Sequence, residues 1–167
     1  RKYDGTGVSI AVNDDGFVGP HIDFQGRMEQ NTVSNDFTGD HGDMVAGILG
    51  GAGNLNPMYE GMAKGVKMHI RQYSGSLPGS VQLHQDSGVM LFSSSYGNGC
   101  NAGYTSLTRQ VDQEIRLNPS LIQVFSCGNS GSSNCGYGAG SGWGNITGGH
   151  KQGKNVIATA NLLNNGN

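Results

Sequence analysis

Gly7-Val8-Ser9-Ile10-Ala11-Val12-Asn13-Asp14-Asp15-Gly16 is an apolar, β-rich run that stops on two acids and a glycine. A run of this length, closed by a turn signal, reads as a buried strand over 7–13 that hands the chain to a polar loop. Similar runs recur at 66–73, 89–94, 121–126 and 155–160. Between two of them Tyr104, Leu107, Val111 and Ile115 repeat at helical spacing, and Asn118-Pro119 supplies a stop. Residues 44–49, after His41-Gly42-Asp43, form a second helix of small residues, and 81–86 a third. Strands alternating with helices imply crossover connections, so the expected fold is α/β: three layers, a mostly parallel sheet with helices on both faces. Sheets of this kind present their ligand sites at the carboxyl ends of the strands. Three of those ends carry polar loops, Asp14-Asp15-Gly16, Ser95-Tyr96-Gly97 and Gly128-Asn129-Ser130-Gly131, which should converge on one edge.

Composition narrows the function classes. The 167 residues suit one domain with a sizeable core. Glycine supplies 30 of them and charged residues only 13%, which describes a fold rich in tight turns. A net charge of -2 without basic clusters gives no electrostatic footprint for nucleic acid or an anionic membrane, and no apolar stretch is long enough to span a bilayer. A redox or nucleotide cofactor has no motif: Gly5-Thr6-Gly7 precedes its strand where a phosphate loop should follow one. The three cysteines have no C-x-x-C spacing. Cys127 ends an apolar run and should be buried, leaving Cys100 and Cys135, in Gly/Asn loops, as the better pair. A disulfide would place the chain in an oxidising, extracellular setting.

Acyl transfer to a serine needs a base, an acid that orients it, and donors for the developing oxyanion. His41 opens a helix start, where Gly42 lets the backbone pass closely. Asp14 ends the first strand and can hold the ring, and the Asn129 carboxamide on a glycine-flanked turn can donate to an oxyanion. Each has a plainer reading: an Asx turn at Asp14-Asp15, a surface imidazole, a left-handed turn at Asn129. Their occurrence together favours the catalytic one. His21, His69, His84 and His150 have no such pattern and receive no role. Asn145-Ile146-Thr147 has the form of a glycosylation acceptor and reads as a polar turn, and Trp143 is either packed or a pocket wall.

These motifs closely resemble the subtilase family of serine proteases. Residues 10–16 resemble its strand ending in the catalytic Asp, and His41-Gly42-Asp43-Met44-Val45-Ala46-Gly47 its catalytic-His helix. Ser95-Tyr96-Gly97 is similar to the segment that pairs with bound peptide, and Ser126-Cys127-Gly128-Asn129 to the segment ending in the oxyanion Asn, in matching order along the whole chain. The resemblance implies a secreted endopeptidase that adds an extended polypeptide substrate as a strand beside Ser95, Tyr96 and Gly97, with Cys127 and Gly128 also binding substrate. The Asp-Asp-Gly form resembles the kexin branch, implying that Asp15 faces basic substrate side chains. Asp43 stands where the family usually has threonine, and could raise the pKa of His41 or point outward. Structural calcium is implied as well, with Asp23 at a family ligand position and Asn54 in the loop where the family's calcium site lies.

The family's nucleophile, in a Gly-Thr-Ser-Met-Ala type motif, does not occur among these residues, nor does a Gly-x-Ser-x-Gly elbow. The chain is therefore expected to be the N-terminal part of a catalytic domain, incomplete without a C-terminal segment that carries the serine and covers the last strand. Processing near Asn164-Asn165-Gly166 would produce such a pair of fragments. The competing reading is a non-catalytic peptide-binding or assembly module derived from a protease.

Overall fold

The computed structural model describes residues 3–29, 40–73, 79–97, 100, 103–136, 141 and 149–161. Trp143, residues 145–147 and residues 164–166 lie outside them. Six strands, β1 (Ser9–Asp14), β2 (Met28–Glu29), β3 (Lys67–Gln72), β4 (Leu91–Ser94), β5 (Ile122–Ser126) and β6 (Ile157–Thr159), form one sheet in the order β2-β3-β1-β4-β5-β6. Every pairing is parallel. Three helices, α1 (Asp40–Gly50), α2 (Ser80–Ser87) and α3 (Ser106–Leu117), lie in the crossovers. β2 was not expected, because two residues are too few to show a period.

The alternation of β1 builds the layers. Ile10 and Val12 point to one face and pack with Val18, Phe24, Ala46, Val66, Met68 and Ile70, with Val45 and Leu49 of α1 against them. Ala11 points to the other face and packs with Val89, Phe92 and Leu121, covered by Val81 and Leu83 of α2 and Ile115 of α3. A strand buried on both faces reads as a continuous apolar run, which is why Ile10, Ala11 and Val12 show no polar alternation.

The register aligns the strand ends. Asn13 pairs with Ser94 and Ser94 with Phe125, while Asp14 pairs with Gln72. The buried Asn13 Nδ2 also donates to Ser94 Oγ at 3.1 Å, pinning β1 to β4 just below the edge. The loops after β1, β4 and β5 therefore leave the sheet side by side. The Cys100–Cys135 disulfide, with Cα atoms 5.3 Å apart, ties the chain after β4 to the chain after β5, and Cys127 is a buried free thiol.

Candidate active site

Asp14 closes β1 and is only 4% exposed. Its Oδ1 accepts from the backbone N–H of Asp15 at 2.9 Å and lies 2.7 Å from Nδ1 of His41. An ionised carboxylate only accepts, so Nδ1 carries the proton and Nε2 is left as the basic nitrogen. The imidazole is half exposed, open on the side away from the sheet. The hydrogen bond from Asp14 is the main cause that raises the His41 pKa above its ordinary value; partial burial opposes it, and the charges of Asp14 and Asp15 add to the rise.

What brings a residue of α1 to the end of β1 is the neighbouring acid. Asp15 accepts from the N–H of Gly42 with Oδ1 at 2.8 Å and from the N–H of His41 with Oδ2 at 3.1 Å. It thereby satisfies two of the orphan donors at the start of α1 and puts a negative charge at the positive end of the helix. Position 42 has no room for a side chain: a Cβ there would sit 2.6 Å from Asp15 Oδ1. Two adjacent acids thus divide the work, Asp14 holding the ring and Asp15 the backbone that carries it. Both oxygens of Asp15 accept from that backbone. Asp43 is likewise settled: Oδ1 accepts from the N–H of Gly19 at 2.8 Å and does not contribute to the shift on His41.

The segments 95–97 and 127–129 follow the neighbouring parallel strands β4 and β5 at the same sheet edge. In Ser95-Tyr96-Gly97 the Tyr96 ring stacks on Tyr73 at 4.9 Å and tilts against His150 at 5.3 Å, which turns the side chain inward and leaves the backbone to line the edge. Burial pushes the Tyr96 hydroxyl up to about 12 and His150 down to about 4, so both are neutral near pH 7. Beyond β5, Cys127 donates its N–H to Thr159 O at 2.8 Å, Gly128 adopts φ 113°, and Asn129 is exposed on the resulting turn. A residue given no role from sequence reaches into this site. Lys151 is 4% exposed and donates from Nζ to Cys127 O at 3.2 Å. No motif marks it; the available signal was compositional, since no Asp or Glu follows Glu114.

Asp23 and Asn54, the residues expected to hold calcium, are brought together by one hydrogen bond. Asp23 Oδ1 accepts from the N–H of Asn54 at 2.6 Å, and Asn54 turns its amide nitrogen to Ile22 O at 3.1 Å. The carbonyls nearby converge on a resident cation: the Arg27 guanidinium donates to Asp23 O, to Gly50 O at 2.8 Å and to Val66 O at 3.0 Å. Asp23 and Asn54 act as a loop clasp.

An acid–base pair held at 2.7 Å, at the sheet edge that also carries the Asn129 turn after β5, is the arrangement that prepares an oxygen nucleophile for acyl transfer. Among the described residues no serine hydroxyl bonds the His41 ring. The model of the subtilase family matches residues 5–167. Among solved structures, MycP1 with its N-terminal propeptide removed is 24% identical, with a TM-score of 0.54, over 77% of this chain and 45% of that one. MycP1 from Mycobacterium smegmatis is 20% identical, TM-score 0.56, over 77% and 42%. The prenylagaramide maturation protease PagA is 20% identical, TM-score 0.56, over 92% and 62%. The chain thus spans less than two thirds of each of these three structures, and likenesses at these identities speak to the fold. With the family match running from the first strand through the last, the chain belongs to the subtilase family.

Proposed function

We propose that this chain supplies the acid, the base and an oxyanion donor of a secreted serine endopeptidase whose nucleophile lies on a segment outside these residues. The observation that carries the reading is the 2.7 Å contact between His41 Nδ1 and the buried Asp14 carboxylate. In the reaction Nε2 of His41 takes the proton of the attacking serine hydroxyl, Asp14 stabilises the imidazolium so formed, and the same proton passes to the leaving amine. Asn129 donates to the tetrahedral oxyanion, a contribution on the order of 3 kcal/mol to the barrier for donors of this kind. An extended peptide lies as an added strand against 95–97, with main-chain pairing for affinity. The Cys100–Cys135 disulfide supports an oxidising compartment and hence secretion.

Surfaces left apolar support a completing segment. Ile157 of the edge strand β6 is 53% exposed and Ile48 of α1 is 70% exposed, more apolar surface than a closed domain leaves at such positions. The test is fluorophosphonate labelling of the purified enzyme with intact-mass analysis. A labelled serine-bearing polypeptide that co-purifies with, or is continuous with, these residues supports the endopeptidase. Absence of labelling together with retained peptide binding identifies a non-catalytic binding module instead. His41→Ala should abolish both labelling and turnover.

A further inference from the structure

Lys151 is a buried cation, and among the described residues its ammonium, which can make three hydrogen bonds, makes one. No carboxylate pairs with it among the described residues, and residues 115–167 contain no Asp or Glu that could. Burying an ammonium without an anion is costly, and native proteins normally pair or neutralise it. Its location says what the anion is for. Nζ lies 3.2 Å from where a Cβ would stand on Gly97 and 3.0 Å from where one would stand on Gly128. The head group is therefore wedged between the segment proposed to pair with substrate and the one that leads to Asn129, and it gets there because neither glycine has a side chain. A peptide laid beside 95–97 with its scissile carbonyl at Asn129 sends the side chain of that same residue between these two segments, towards the ammonium.

We propose that Lys151 is the specificity-determining residue of this enzyme and selects Asp or Glu immediately N-terminal to the scissile bond. A carboxylate there supplies the missing partner through charge-assisted hydrogen bonds, whereas an apolar or basic side chain leaves the buried cation unpaired or repelled. This rests on the endopeptidase reading above and reverses the basic preference that the Asp-Asp-Gly form had implied.

The experiment compares kcat/KM of the full-length enzyme on fluorogenic peptides that differ only at that residue, as Glu, Asp, Gln, Leu or Lys. An acidic residue should exceed Gln by roughly 10- to 100-fold, the size of one charge-assisted contact made or lost. Lys151→Met should erase the difference by lowering kcat/KM on the acidic peptides to the level of Gln, with the variant's thermal unfolding midpoint reporting that it is folded. Lys151→Arg should keep the acidic preference, which covers the case in which the Met variant does not fold. Robust cleavage without acidic preference, or a preference that survives Lys151→Met, overturns the role of Lys151 alone. Wild-type enzyme that neither cleaves any peptide nor takes the label overturns the endopeptidase reading and this inference together.

Discussion

At the scale of single residues, the Asp14–His41 pair makes a prediction about protons. Its hydrogen bond and charge hold the folded-state pKa of His41 above the usual value near 6.5. The acidic limb of kcat/KM should therefore lie above that value, since Nε2 must be deprotonated to act as the base. The stability linked to the pair runs the same way: it is fully present below the unfolded pKa and is lost as pH rises through the folded one. NMR titration of the imidazole should show a raised midpoint that moves down in Asp14→Asn, while kcat falls on the order of 10⁴-fold because the tautomer is no longer held. A midpoint unchanged by Asp14→Asn would detach the carboxylate from the base. The buried histidine near the site behaves oppositely. His150, wedged against Phe125 at 4.6 Å and pushed down to about 4, stays neutral and packs.

At the scale of elements, two acids hold helices where the site needs them. Asp15 caps α1, so Asp15→Ala should cost about 1 kcal/mol, the usual worth of such a cap, seen as a lower denaturation midpoint. It should also weaken catalysis more than a surface change of that size, because α1 carries His41. On the other face, Asp112 of α3 accepts from the backbone N–H of Lys154 at 3.1 Å and of Asn155 at 2.9 Å, and from the Tyr104 hydroxyl at 2.8 Å. Burial works to raise its pKa, but these donors outweigh it and the carboxyl ends below its ordinary value. A depressed carboxyl contributes stability above the unfolded pKa near 3.8 that disappears as pH falls through the folded value. Asp112→Ala should thus destabilise by about 2 kcal/mol at neutral pH, with a smaller difference from wild type in acid, measured by urea denaturation across pH. A constant difference down to the lowest pH would mean that packing, not charge, joins α3 to the approach of β6.

At the scale of the whole molecule, the site edge is held by covalent as well as packing forces. The Cys100–Cys135 bridge closes a loop of 35 residues and fastens together the chains leaving β4 and β5. Opening it with paired Cys→Ser changes should lower stability by about 3–4 kcal/mol by the loop-entropy relation, and should loosen the segments on either side of Lys151. The edge strand β6 is exposed along its whole length. If a serine-bearing segment completes the domain, amide exchange at residues 157–159 should slow markedly when that segment is bound; equal exchange in both states would place the partner elsewhere.

Local pattern determined the run of the longer strands and helices, the parallel sheet and the partnership of Cys100 with Cys135, because burial on two faces, helical spacing and loop placement leave marks in the residues themselves; Asp14 and His41 were singled out by these together with the family's motifs. The two-residue β2, the division of labour between Asp14 and Asp15, the arginine that gathers three carbonyls near Asp23, and the ammonium of Lys151 between two glycines were decided only in three dimensions. Each depends on which groups from distant segments arrive within about 3 Å, the range in which hydrogen bonds act, and spacing along the chain does not encode that distance.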